Sequence, residues 1–598
     1  MSLVTPGIDL LGLVFIAIAA FFWAFLFIGS LVSVQIGYDL ATWKIALATL
    51  LIALISFTIR VTSIRFRHKR HAASMGAQLV PEPQGRLLGN IDLGLEIIYK
   101  LQTGYPGDGI REQLAEYGPV VNWRAMWTNM IFTTSPEHIK IILATDFQNY
   151  SYGALAGVHF QANLRPLLGT GVFNSDGDMW KFHRSITRPM FTRERIGHFE
   201  IFDKHAAEAI LKLKERLREG YAVDFQDLMS RFTLDAATSF LFGHNVQSLS
   251  ADLPYPQNAS YTTSRHTPEG NAANAFADAF LKAQEVVSLR ERFDWPWWPL
   301  TEIFKDKVRQ PMKIVNSYIE PIVKEALFKK TGSGASQGKD EGIEDDETLL
   351  DQLVKVTTDP VILKDEILNI MIGEDTTAST LTFIVYFLSI YPDVLARLRE
   401  EIISKVGHTR RPDYDDIRDM KYLRAVINET LRLFPVVPFN VRESVNAATW
   451  PSENPDEKPY YIPAGTRTTY SVFLMHRRKD LWGPDAEEFD PDRFLDDRLK
   501  KYLAKNPFIF LPFNAGPRIC LGQQFAYNEM SFMIIRLLQS FLSMELDLGA
   551  APPEAIPPKD WAQAEGRKGS EKLYPKLHLT MYTRGGLWVR MDESDGVN

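Results

Sequence analysis

Two patterns of apolar and polar positions divide the chain. Residues 10–38 contain no charge and are rich in Leu, Ile, Phe and Ala, with Trp23 among them. About 20 consecutive apolar residues suffice to cross a bilayer as a helix, so a transmembrane span is predicted at 10–36. A second uncharged run, 45–59, is shorter, but Trp43, Lys44 and Arg60 stand where they can anchor its ends at the interface. One crossing, or a hairpin with a second span at 43–60, both fit. The first run lacks the basic start and small-residue cleavage site of a secretory signal. Arg60, Arg65, Arg67, Lys69 and Arg70 follow before the next acidic residue, Glu82, which places this flank on the cytosolic side. The pattern thus gives an anchor at 1–72 and a hinge at 73–88, centred on Pro81-Glu82-Pro83-Gln84-Gly85, with a soluble domain at 89–598.

Beyond the hinge, apolar residues recur at three- and four-residue spacing over 206–217, 393–406 and 525–541, which predicts helices. A longer helix is predicted over 359–391, between Pro360 and Pro392, apolar on all sides except at Gly373-Glu374-Asp375-Thr376-Thr377. Strand-like runs fall at 120–123 and 131–134, and 577–591 reads as a hairpin folding about Gly585-Gly586. The fold class is therefore mainly α with small β-sheets. Glycines and acids over 330–347 predict an exposed loop. No Gly/Ser linker divides the remainder, and at 45% hydrophobic residues a single large core is expected. A net charge of −7 without a basic-aromatic stripe argues against a nucleic-acid partner.

The candidate chemistry centres on the single cysteine, Cys520, in Phe513-Asn514-Ala515-Gly516-Pro517-Arg518-Ile519-Cys520-Leu521-Gly522. Such a turn places a thiol at a helix start, where unpaired N–H groups favour a thiolate able to bind iron. The alternative is a small buried hydrophobe between helices. The polar break in the long helix admits two readings. It is a helix bend, or a place where Gly373 lets a ligand approach while Thr376, Thr377 and Asp375 hold a water and move protons. Trp180-Lys181-Phe182-His183-Arg184 sets an indole N–H and a guanidinium four residues apart, suited to a carboxylate or to an ordinary amphipathic helix. Twelve histidines and one cysteine give no zinc spacing, and Gly169-Thr170-Gly171 lacks the third glycine of a dinucleotide loop. The sequons at Asn149 and Asn428 are matches in form only.

The Phe-x-x-Gly-x-Arg-x-Cys-x-Gly string resembles the haem-thiolate signature of the cytochromes P-450, and the resemblance extends from about Gly89-Asn90 to the C-terminus. It implies the P-450 fold, preceded by one or two membrane helices, and haem b with Cys520 as axial ligand. Phe513, Gly516 and Gly522 would shape the haem loop. Trp180, Arg184, His183, Arg442 and Arg518 would face the propionates. Glu429, Arg432 and Arg493 would form a supporting ion network. The segment Gly373 to Thr377 resembles the oxygen-activation helix, with Asp375, Thr376 and Thr377 as its catalytic residues; Ile372 and Glu374 depart from the family pattern. The implied activity is O2-dependent hydroxylation of an apolar substrate, and several phrases are similar to the fungal alkane, fatty-acid and hydrocarbon hydroxylases. Electrons would come from a separate NADPH-dependent flavoprotein reductase, with cytochrome b5 a further candidate, at the cytosolic face of the endoplasmic reticulum membrane. A haem-binding electron carrier or sensor is the alternative from another class, and a lipid isomerase or dehydratase is the alternative within the family. The retained Asp375-Thr376 pair favours the monooxygenase.

Overall fold

The computed structural model describes residues 5–36, 41–151, 158–192, 199–243, 245–259, 268–293, 297–332 and 348–594. Most of the loop expected at 330–347 lies outside them. Both apolar runs are helical: α1 covers Pro6–Ile36 and α2 covers Thr42–Ser74. Each contains a stretch long and apolar enough to cross a membrane, Pro6–Gly29 and Ala46–Ser74. The basic flank does not follow α2 but forms its last turns. There Arg65 pairs with Glu82 at 3.0 Å and His71 Nδ1 lies 2.9 Å from the Tyr461 hydroxyl. The start of α1 also meets the folded body, where the Thr5 hydroxyl donates to Ile303 O at 2.5 Å. Gly7 is pressed so close there that a Cβ would come 2.5 Å from Ile303 Cα.

The stretch expected as a hinge is built into the domain. Gln78–Leu79 forms a strand parallel to Tyr460–Ile462, and Ala77 and Val80 are buried beside it. Burial of these side chains and the ladder hydrogen bonds outweigh the local stiffness of Pro81 and Pro83, so the folded body begins ahead of residue 89.

The helices that frame the site are α3, Gly177–Thr187; α4, Pro268–Phe293; α5, Pro360–Ile390; α6, Lys421–Leu433; and α7, Gln523–Ser540. The three shorter predicted helices are found at Glu200–Arg218, Pro392–Val406 and α7. α5 starts where Pro360 needs no N–H partner and the Asp359 carboxylate accepts from Val361 N at 2.8 Å. Its apolar character on all sides follows from its position: every residue from Thr377 to Leu388 is buried. Ring stacking of Phe383 on Phe434 and of Phe387 on Phe489, with centroids 4.5 and 4.0 Å apart, ties its second half to the core. Near its start, the loop holding Gly169 and Gly171 crosses so closely that side chains there would collide with Asp365 and Asn369. Asp365 accepts from Thr170 N at 2.8 Å and Asn369 from Phe173 N at 2.9 Å. These glycines therefore serve packing on α5.

Strands Val120–Asn122 and Met130–Thr133 match the prediction and open a five-stranded sheet that continues through Thr466–Ser471, Phe439–Ser444 and Tyr150–Ser151. The hairpin expected about Gly585-Gly586 does not form. Pro575–Leu577 pairs with Met581–Thr583, whereas Trp588–Glu593 leaves to pair with Phe541–Leu546 and Val223–Asp224. Gly585 and Gly586, at φ +74° and +86°, turn the chain between two sheets.

Candidate functional site

Cys520 lies two residues before Gly522, the residue that caps α7. Its loop is bent by Asn514 and Gly516, at φ +64° and +71°, and closed by Cys520 N donating to Phe513 O at 3.1 Å. A Cβ on Gly516 would stand 1.9 Å from Leu143 O, so this glycine lets the loop seat on the turn Ile141–Thr145. Phe513, Arg518, Cys520 and Gly522 border a cavity of about 900 Å³; Gly516 lies behind them. The side chain of Cys520 is exposed only to this enclosed cavity, whose low polarity pushes the thiol up to about 11, and the Gly522 N–H offsets only part of that. The helix start alone thus leaves the thiol protonated, and a thiolate here needs a cation such as a metal.

Across the cavity, α5 presents Ile372, Gly373, Glu374, Thr376 and Thr377. A Cβ on Gly373 would meet nothing within 4 Å, so the polar break borders open space. The helix runs through it unbroken, and the Thr376 hydroxyl donates to Gly373 O at 2.6 Å. Asp375 does not line the cavity. Its carboxyl accepts from Gln284 of α4 at 2.5 Å, and burial pushes it up to about 6. Glu374 holds the cavity position instead and reaches Glu529 of α7.

α3 turns Trp180 and Arg184 to the cavity, the guanidinium carbon 5.8 Å from the indole ring centre. Burial lowers the Arg184 pKa, and no carboxylate pairs with it among the described residues. His183 departs from the expectation. It is fully buried against α5 and paired with Glu366, which also accepts from the Thr187 hydroxyl at 2.9 Å. A carboxylate on the neighbouring helix holds the ring away from the cavity. Arg518 borders the cavity but spends its charge on Asp176, 2.5 Å away, with its guanidinium 4.5 Å from the Trp180 ring centre. Arg442 is buried in strand Phe439–Ser444, donating to Val441 O at 2.7 Å; its neighbours Asn440 and Val441 line the cavity and it does not.

The ion network is assembled as the spacing suggested. Arg432 grips Glu429 through two bonds of 2.7 and 2.8 Å, both side chains fully buried. Arg493 Nε stands 3.5 Å from the same carboxylate and pairs with Asp485 at 3.0 Å. Arg432 also donates to the carbonyls of His476, Ala486 and Glu488, which leaves little of the charge unsatisfied. Sequence reasoning missed Gln284 and Glu529. The latter was open to notice as a carboxylate in the apolar face of a helix beginning just after Cys520.

This donor set fits haem. The thiol faces the cavity, Trp180 and the unneutralised Arg184 stand ready for a carboxylate, and Gly373 leaves room opposite. The family model described as Cytochrome P450 matches residues 98–561. Cytochrome P450 52E1 of Candida apicola is 34% identical over 83% of this chain and 90% of its own length. Cytochrome P450 monooxygenase himC of Aspergillus japonicus is 34% identical over 83% and 81%. Cytochrome P450 52-M1 of Starmerella bombicola is 38% identical over 70% and 76%. With the cysteine loop, the buried ion network and the cavity between α5 and α7 in place, the chain belongs to the cytochrome P450 family, oxidoreductases that carry haem on a cysteine thiolate.

Proposed function

We propose that this enzyme hydroxylates a long apolar molecule drawn from the bilayer, an alkane, a fatty acid or an aromatic hydrocarbon, with Cys520 as the residue whose thiolate would hold the haem iron. The observation that carries the reading is the wall of the cavity. It joins Cys520 and Thr376 to apolar residues of helix Ile91–Thr103 and to Trp297 and Leu300, next to the segment where α1 docks. Haem held by a thiolate supplies reductive activation of O2 and insertion of one oxygen atom into a C–H bond.

The chain's own groups would do the rest. Trp180 and Arg184 bind the propionate edge, and Arg518, fixed by Asp176, stiffens that rim. Thr376 offers its oxygen to a proton donor in the cavity while its own hydrogen is held by Gly373 O. Asp375, pushed up to about 6 by burial and held by Gln284, passes protons from outside. Apolar walls exclude bulk water from the reacting end.

The attachment of both ends of the α1–α2 pair to the folded body supports a two-span hairpin, with the basic turns of α2 on the cytosolic side of the endoplasmic reticulum. An NADPH-dependent flavoprotein reductase, with or without cytochrome b5, would supply electrons there. The decisive experiment is Cys520→Ala in the holoenzyme. Loss of the red-shifted ferrous–CO band is expected, and its retention overturns the ligand assignment. Turnover of lipophiles with a reductase present then separates a monooxygenase from an electron carrier or an isomerase.

A further inference from the structure

Three arginines, Arg124, Arg184 and Arg292, border the cavity without a carboxylate partner among the described residues, and only one of them stands near the cysteine. Arg184 is among the charges felt by the Cys520 thiol; Arg292, on the last turn of α4, is not. Arg292 Nη2 donates to the carbonyls of Leu577 and His578 at 2.6 and 3.3 Å, which leaves the rest of the guanidinium fork uncommitted. Its neighbour Glu291 offers no neutralisation, because its carboxylate is taken by Arg467.

Beside the paired Glu291 and Arg467, the cavity wall near Arg292 carries polar groups without charge. Ser288, one turn earlier on α4, is buried and lines the same cavity, as do His578 and Thr580 on the turn between strands Pro575–Leu577 and Met581–Thr583. Burial, and then the charge of Arg292, push His578 down to about 4, so at neutral pH it is an uncharged imidazole. Burial lowers the Arg292 pKa in the same sense. A buried cation costs free energy unless an anion meets it, and an arginine fork matches a carboxylate with two parallel hydrogen bonds.

We propose that Arg292 is the anchor for the carboxylate of a long-chain acid, whose apolar chain runs along the cavity towards Thr376 and Cys520. This rests on the monooxygenase reading and narrows it. Long-chain acids are preferred over alkanes of the same length, and oxygen enters at carbons remote from the carboxyl group. Ser288 and Thr580 add neutral hydrogen bonds at the same corner.

The test is equilibrium titration of the detergent-solubilised holoenzyme, read by the haem spin-state shift, with hexadecanoic acid, its methyl ester and hexadecane. In Arg292→Gln the Kd for the acid is expected to rise about ten- to a hundredfold, as for loss of a charged hydrogen-bond pair, with ester and alkane within about twofold of wild type. Arg292→Lys should recover part of the acid preference. The acid-to-ester ratio is taken within each variant, so partial loss of folded protein does not mimic the effect. Arg124 also borders the cavity, and Arg124→Gln is the control. An unchanged ratio in Arg292→Gln, or an equal fall in Arg124→Gln, overturns the anchor. Such a failure leaves the ferrous–CO band and hexadecane turnover in place, so it is distinct from failure of the monooxygenase reading.

Discussion

Glu374 of α5 and Glu529 of α7 meet as two carboxyl groups beside Thr377, with Glu529 fully buried. Two ionised carboxylates offer only acceptors, so a bond between them requires a shared proton. Burial pushes Glu374 up to about 8 and Glu529 well above the usual carboxylate range, the latter further raised by Glu374.

Between about 4.5, the ordinary value, and about 8, the unfolded chain has released protons that the folded pair retains, so stability falls as pH rises through that window. Glu374→Gln removes one titrating member while keeping the hydrogen bond. Thermal unfolding of the variant should match wild type near pH 5 and exceed it at pH 8. A constant difference across that range would show that the pair does not hold a proton.

Thr376→Ala should leave haem content and ligand affinity near wild type and divert consumed NADPH and O2 to peroxide. The hydroxyl borders the cavity, and its bond to Gly373 O fixes the direction of its oxygen. Loss of a positioned proton-transfer group costs about a hundredfold or more in the step it serves. Product formed per NADPH, measured with a reconstituted reductase, should fall at least about tenfold. Unchanged coupling would shift the role to Thr377 or to Glu374.

Arg432→Leu breaks a fully buried pair and leaves Glu429 with only the Asp490 N–H at 3.0 Å and Arg493 at 3.5 Å. Breaking such a pair typically costs about 3 to 5 kcal/mol, because the remaining charge is stranded. The variant should lose haem on purification and unfold at lower denaturant concentration. Exposed pairs such as Arg397 with Asp492 should prove nearly silent when broken, since both side chains are solvated.

What the sequence revealed was set by chain distance. Glu429 and Arg432 are one helical turn apart, and the bends around Cys520 are written in adjacent residues, so both could be read locally. His183 could not be, because the carboxylate that turns it from the cavity, Glu366, belongs to a remote helix. The Gly585-Gly586 signal was real as a turn but silent about partners. Trp588–Glu593 pairs with a strand that follows α7, and long-range ladders decide between otherwise equal local folds. The segment 73–88 misled for the same reason: its prolines are local, whereas Tyr460–Ile462 is not. That Glu374 rather than Asp375 lines the cavity could not be read locally, because a neighbour in a helix points about 100° away, and only the packed helix shows which side faces the cavity.

The proposed membrane hairpin gives the last prediction. α1 and α2 are each long enough to cross a bilayer, with 24 and 29 residues in their apolar stretches. If α1 crossed alone and α2 lay along the surface, the start of α1 would stand on the far side, a bilayer thickness of about 30 Å from the folded body. Thr5 instead donates to Ile303, Gly7 packs against Pro299 and Ile303, and Phe57 of α2 meets Trp127 edge-on at 4.7 Å. An epitope tag placed before Met1 in sealed microsomes should therefore be digested by added protease without detergent, together with the catalytic domain. Protection of the tag would mean a single crossing and a free start of α1. Gly7→Leu sharpens the result, because a side chain there collides with the Ile303 backbone and should loosen the N-terminal contact, raising the rate of tag cleavage while leaving membrane retention unchanged.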